Sequence, residues 1–257
     1  MFNQSVMEAY APVAPRETGV AIAAHGLVRR YGEGESAVEA VRGVSLDVPA
    51  GVLTAVMGPS GSGKSTLMHM LAGLDRPDEG SIEIGGREIT TMTDKKLTLL
   101  RREHIGFVFQ AFNLVPTLTA EENITLPLAI AGRRPDRGWV DSVIGAVGLG
   151  ERRSHRPSEL SGGQQQRVAV ARAIVAEPTV LFADEPTGNL DSRSGAEVLD
   201  LIRTAVTDYG QTTVMVTHDP RAAAVADRVV FLADGRIVSD LDAPSEAEIL
   251  ETVKEIA

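Results

Sequence analysis

Leu53-Thr54-Ala55-Val56-Met57 runs directly into Gly58-Pro59-Ser60-Gly61-Ser62-Gly63-Lys64-Ser65-Thr66, and this stretch decides the fold. Five uncharged, mostly apolar residues ending at a glycine-rich turn read as a strand buried on both faces, the kind found inside a parallel sheet. From Ser65 to Ala72 the pattern is helical, and Gly73 closes it. The spacing Gly58, four residues, Gly63-Lys64-Ser65 is that of a phosphate-binding loop. Glycines let backbone N–H groups turn inward around phosphate oxygens without Cβ clashes. The helix that follows points its N-terminus at the same anion. In such a loop Lys64 reaches the β- and γ-phosphates and the Ser65 hydroxyl ligates Mg²⁺. By residue usage the bare pattern arises by chance in about one chain per hundred of this length. A strand before it and a helix after it are the context that confirms it.

Outward from this turn the chain alternates. Upstream lie the β-rich runs Val20 to Ala24, Ala37 to Val41 and Val44 to Val48, which imply an N-terminal antiparallel β subdomain. Downstream, Ser81 to Ile84 meets Gly85-Gly86 and predicts an edge hairpin, and Ile105 to Phe109 predicts another strand. From about Phe112 to Glu159 strand-like runs vanish and helical segments such as Val140 to Val147 are separated by Gly and Pro, which implies an inserted helical subdomain at about 111–165. Strands at Thr179 to Ala183, Thr212 to Thr217 and Arg228 to Leu232 then alternate with helices at Gln164 to Val175 and Gly195 to Val206. The expected fold is α/β, with a mostly parallel sheet covered on both faces and ligands bound beyond the carboxyl ends of its strands. Residues 1–19, with two prolines and no period, are expected to be a mobile tail. The core domain is expected over 20–241, and Asp242 to Ile256 reads as a short acidic helix with no room for a further domain.

A second chemical motif is Val180-Leu181-Phe182-Ala183-Asp184-Glu185, a buried strand delivering two carboxylates at its end. Alternation sends neighbouring side chains to opposite faces, so the two acids take different jobs. Asp184 suits Mg²⁺, directly or through water, and Glu185 suits the attacking water as general base or positioner. A third is Leu160-Ser161-Gly162-Gly163-Gln164-Gln165-Gln166-Arg167, a Ser/Gly turn before another helix. Alone it would be a helix cap with Ser161 at the N-cap. In a chain that already owns one phosphate cradle, a second is redundant unless it serves another nucleotide, and the simplest arrangement is a two-fold pair.

That third string resembles the signature motif of ATP-binding cassette (ABC) ATPases, and it precedes Asp184 as it does there. The resemblance covers about residues 20 to 240 and implies a P-loop NTPase (RecA-like) core, ATP and Mg²⁺ as cofactors, and a head-to-tail dimer in which Ser161, Gly162, Gly163 and Gln164 face the other subunit's phosphate loop. It also implies roles for four further places. Gln110 resembles the glutamine that senses Mg²⁺ or water and couples to a partner. His218, in Val216-Thr217-His218-Asp219, resembles the switch histidine at the γ-phosphate. Asn189-Leu190-Asp191 resembles the loop along the dimer seam, and Tyr31 resembles the aromatic that stacks on adenine. Within the class, Phe109 to Pro116, Thr119 to Leu128 and Asp184 to Asp191 are similar to the ATPases of macrolide-exporter, lipoprotein-release and cell-division type transporters. That implies a permease partner with few spans and a large extracytoplasmic domain. Ala111 departs from that group, where a second glutamine is usual, and the departure bears on partner contact rather than hydrolysis.

Composition is consistent with this reading. Of 257 residues 43% are hydrophobic, enough for one substantial core. A net charge of −10 argues against nucleic acid, since Arg101-Arg102, Arg133-Arg134 and Arg152-Arg153 are short clusters on a solvated surface. Cysteine is absent, which excludes thiolate chemistry, and His25, His69, His104 and His155 match no metal-ligand spacing. No apolar run approaches the roughly 20 residues that span a bilayer, and the N-terminus does not read as a signal peptide. The chain is therefore expected in the cytoplasm, on the inner face of the membrane through its permease. The other reading is a soluble ABC ATPase acting as a switch in DNA repair or translation. Such chains usually carry two cassettes or a long coiled coil, and neither is present here.

Overall fold

The computed structural model describes residues 19–32 and 37–256. The tail expected over 1–19 lies outside them apart from Gly19. The described chain opens with two antiparallel strands, β1 (Val20–Tyr31) and β2 (Val38–Pro49). Both are longer than the expected runs, because register shifts such as the one between Ala24 and Leu27 absorb residues that break the alternation. Strand β3 (Leu53–Met57) then leads through the glycine turn into α1 (Lys64–Leu71). Strand β4 (Glu79–Ile84) turns at Gly85-Gly86 into β5 (Arg87–Glu88), so the hairpin forms with β5 at the sheet edge. Helix α2 (Asp94–His104) was not expected. It buries only Leu97 and Leu100, too faint an apolar stripe to read among its charges.

After β6 (Ile105–Phe109) come α3 (Ala120–Ile130), α4 (Arg137–Ala146), 3₁₀ turns at Gly150–Arg152 and Pro157–Glu159, and α5 (Gly162–Ile174). Among the described residues no strand lies between 110 and 179. The chain closes with β7 (Val180–Asp184), α6 (Ser192–Tyr209), β8 (Thr212–Val216), α7 (Pro220–Ala223), β9 (Arg228–Ala233), β10 (Arg236–Asp242) and α8 (Glu246–Glu255). Strand β10 was not expected either. Its side chains alternate between half-buried and exposed, a weak edge-strand pattern.

Two sheets result. The antiparallel one has the order β2-β1-β4-β5, and the larger one the order β10-β9-β3-β8-β7-β6. The larger sheet is parallel from β9 through β6, and β10 pairs antiparallel at its edge. Its central strands β9, β3, β8 and β7 are buried on both faces, and alternation divides their side chains between two cores. Val56, Val180, Phe182, Val214 and Val230 pack under α1 and the antiparallel sheet. Leu53, Met57, Leu181, Met215 and Phe231 pack under the helices on the other side. Phe182 is fully buried and stacks on Phe107 at 5.6 Å between ring centroids. Burial of such a ring contributes about 1.5–3 kcal/mol. In the order β3-β8-β7-β6, four parallel strands end side by side, so the residues that follow them meet at one rim.

Candidate functional site

The rim holds a cavity of about 590 Å³ lined by Gly58, Ser60, Lys64, Ser65, Glu185 and His218, among others. Its floor is the turn between β3 and α1. Gly58 and Gly63 have φ of 150° and 100°. A Cβ on Gly58 would sit 2.0 Å from the Leu232 carbonyl oxygen, and one on Gly63 would sit 2.2 Å from that of Ala40. The turn can therefore press against β9 and β2 only with glycine there. Gly63 is the N-cap of α1 and no side chain caps the helix, which leaves its first N–H groups for a ligand. The Lys64 ammonium donates to the carbonyl oxygens of Gly58 and Pro59, both at 2.8 Å. Burial pulls its pKa below the usual lysine value, and the nearby Glu185 and Asp184 carboxylates partly offset this. The Ser62 hydroxyl is buried without a hydrogen-bond partner. Ser65 is exposed and Thr66 half-buried.

Replacing Gly63 by Ala is expected to destabilise the chain by about 1–3 kcal/mol, the usual cost of forcing a methyl into a filled space. Nucleotide binding should weaken with it, since the turn must shift away from Ala40. Urea denaturation and equilibrium nucleotide binding check both effects, and an unchanged midpoint would mean that β2 yields freely.

The two carboxylates separate as alternation requires. Asp184 is the last residue of β7, still paired with Phe109 and Val216 on either side. Burial raises its pKa above the ordinary aspartate value. His69 and Lys64 act against that rise, and Glu185 reinforces it. Glu185 leaves the sheet with φ of 46°, in the left-handed region that a non-glycine residue adopts only when held there. Its N–H donates to the Val216 carbonyl at 2.9 Å. One carboxylate oxygen lies 2.7 Å from His218 Nδ1 and the other accepts from the Thr217 hydroxyl at 3.4 Å. The carboxylate can only accept, so Nδ1 carries the proton in this contact. Thr217 is not among the expected site residues. Its place at a buried strand end before His218 was the available signal.

A hard cation would find oxygen donors here in Ser65 and Asp184. Among the described residues no group of three or more His, Asp or Glu side chains could hold a metal ion alone. That donor set fits Mg²⁺, which keeps waters and phosphate oxygens in its shell and needs only one or two protein ligands.

The remaining expected residues do not line this cavity. Gln110, just past β6, donates from Nε2 to Asn189 Oδ1 at 3.2 Å. Ser161 is the N-cap of α5 in a capping box. Its hydroxyl accepts from the Gln164 N–H at 3.3 Å, and the Gln164 side chain accepts from the Ser161 N–H at 2.9 Å. Gly162 and Gly163 open the helix, and a Cβ on Gly163 would meet Ser194 Oγ at 2.8 Å. This turn thus packs on the start of α6, and its residues are not among those lining the Lys64 cavity. Tyr31 donates its hydroxyl to Asp75 at 2.7 Å, with the Arg29 guanidinium 4.8 Å from its ring centroid. Val253 and Ile256, at the end of the chain, also line the cavity, a contact no local pattern announces.

Residues 41–188 match the family model described as ABC transporter. The chain is 47% identical over 230 residues to a macrolide export ATP-binding/permease protein MacB of Marinobacter nauticus, covering 88% of this chain and 35% of that one. It is 48% identical over 221 residues to the MacB of Rhodopseudomonas palustris, covering 85% and 34%. The chain thus spans about a third of the length of these curated relatives. Among solved structures it is similar to the dimeric post-hydrolysis state of the ATP-binding cassette MJ0796 bound to ADP and Pi. The TM-score is 0.78 at 37% identity, covering 87% of this chain and 99% of that one. It is also similar to cbiO1 from Clostridium perfringens, part of the ABC transporter complex cbiONQ, with a TM-score of 0.79 at 28% identity and coverage of 90% and 91%.

Proposed function

This chain belongs to the ABC transporter family, and from that premise we propose that it is the ATP-hydrolysing part of a transporter of exporter or mechanotransmission type. Two copies close on ATP, and their motion drives a membrane permease. The observation that carries the reading is the Glu185–His218 pair, bonded at 2.7 Å on the wall of the cavity that Lys64 floors. It puts a proton acceptor and its holder beside a phosphate cradle.

In this reading the α1 N-terminus, the loop Gly58, Ser60, Gly61, Ser62 and Gly63, and Lys64 bind the β- and γ-phosphates. Ser65 and Asp184, with Gln110 nearby, would hold Mg²⁺, which when bound offsets negative charge on the phosphate oxygens. Glu185 orients a water and takes its proton as the oxygen attacks the γ-phosphorus and the bond to ADP breaks. His218, donating from Nδ1, fixes the Glu185 carboxylate while that proton moves. Ser161 to Gln164 complete the neighbouring copy's site, and Tyr31 stacks on adenine once its contact with Asp75 yields. The segment that follows Gln110, about 111–165, transmits the motion to the permease. Among the described residues no helix is long and apolar enough to cross a membrane. In this reading the chain works on the cytoplasmic face, bound to a permease with a large extracytoplasmic domain.

The test is steady-state phosphate release by the purified chain. Release is expected to need Mg²⁺, to saturate with ATP and to rise faster than linearly with protein concentration. Binding without turnover at any concentration would leave an ATP-dependent switch in place of a motor.

A further inference from the structure

Gln110 and Asn189 make a reciprocal pair. Gln110 Nε2 donates to Asn189 Oδ1 at 3.2 Å, and Asn189 Nδ2 donates to the Gln110 main-chain oxygen at 3.0 Å. The two bonds settle both amide orientations. A main-chain carbonyl can only accept, so the Asn189 group facing it must be the NH₂. Asn189 Oδ1 is then the atom turned to the Gln110 side chain, and an oxygen requires a donor, so Gln110 must present Nε2 there. The Gln110 Oε1 atom is what remains outside the pair.

The surroundings keep the two segments together. Gln166 of α5, wholly buried, donates from Nε2 to the carbonyls of Phe109 at 3.2 Å and Pro186 at 2.6 Å, one from each segment. Gly188 lies so close that a Cβ there would be 2.7 Å from Gln110 Nε2. Beyond Gln110, the Arg172 guanidinium donates to the carbonyls of Phe112 and Asn113 at 2.9 and 2.6 Å, which holds two residues whose φ values are positive. The Gln110 side chain is itself exposed, so the bond to Asn189 is what holds its amide in one orientation.

We propose that Asn189 is a positioning residue that sets the Gln110 amide so that its oxygen, and not its nitrogen, is offered to a cation or to a water bound to one. The proposal rests on the nucleotide reading above. A flipped amide would present two N–H donors to a cation, which repels them. A carboxylate at 189 could still accept from Nε2 but would face the Gln110 carbonyl with a second acceptor, so Asp is no substitute for Asn.

The test is equilibrium binding of ADP to the whole chain, with and without Mg²⁺, for wild type, Asn189→Ala, Asn189→Asp, Gln110→Ala and the Asn189→Ala/Gln110→Ala double variant. In the wild type Mg²⁺ should tighten ADP binding. Asn189→Ala and Asn189→Asp should each cut that tightening about three- to tenfold, the worth of one or two neutral hydrogen bonds, and leave metal-free affinity unchanged. In the Gln110→Ala background Asn189→Ala should change nothing further, because it acts only through that side chain. A metal-free affinity that falls in parallel, or a loss that persists in the Gln110→Ala background, overturns the proposal in favour of a structural role. A wild-type chain that binds no ADP in either condition overturns the nucleotide reading itself.

Discussion

Glu185→Gln is expected to bind ATP as the wild type does, to dimerise on it, and to release phosphate about 10²- to 10⁴-fold more slowly, the range for loss of a positioned general base. The geometry makes the substitution selective. Glu185 touches the floor of the cavity only through space. Its carboxylate is spent on His218 Nδ1 at 2.7 Å and Thr217 Oγ1 at 3.4 Å, and its N–H on the Val216 carbonyl. A glutamine keeps the volume, the left-handed backbone and one oxygen for His218, but its amide takes no proton at neutral pH. The phosphate cradle of Gly58 to Ser65 is untouched, so affinity should survive while the proton has nowhere to go. Single-turnover phosphate release gives the rate, and light scattering with ATP present shows whether closed dimers accumulate. A variant that turns over at the wild-type rate would remove Glu185 from the chemistry and shift the role to another acceptor at the rim.

How much of this site could be read from the sequence follows from how local each cause is. The turn at Gly58 to Ser65 is a local fact, since a buried strand, three glycines and a helix start are adjacent in the chain, and the structure assembles them in that order. Asp184-Glu185 and Thr217-His218 were each legible as ends of buried strands. That they meet Lys64 depends on the order β3-β8-β7, and no single motif encodes this order. The chain's membership of the ABC transporter family supplies what spacing could not. Helix α2 was illegible because its buried stripe is two leucines in eleven residues, and β10 because only half of an edge strand's side chains meet a core. Contacts across long separations were beyond reach altogether. The Gln110 amide meets Asn189 because the segments after β6 and β7 run side by side, and the Tyr31 hydroxyl at the end of β1 meets Asp75 in the loop between α1 and β4.

A mixture of Lys64→Ala and Ser161→Arg chains, each inactive alone, is expected to regain activity, and the reason lies in where Ser161 sits. Its turn is closed on itself by the capping box with Gln164 and packs on Ser194 at the head of α6, while the cavity floored by Lys64 is lined by other residues. If that turn acts on a nucleotide at all, it acts on one held by a second copy. Lys64→Ala removes the cation from the cradle and leaves the turn intact. Ser161→Arg leaves the cradle intact, removes the N-cap at a cost of about 1 kcal/mol and puts a bulky cation at the mating surface. A mixed pair then holds one site with both halves damaged and one with both halves whole. At equal amounts half the pairs are mixed and half their sites are sound, so about a quarter of wild-type turnover returns if the sites act independently. Recovery should fade on dilution as pairs dissociate. A mixture no more active than its components would mean that each chain completes its own site, and the turn at Ser161 would then be a helix cap and nothing else.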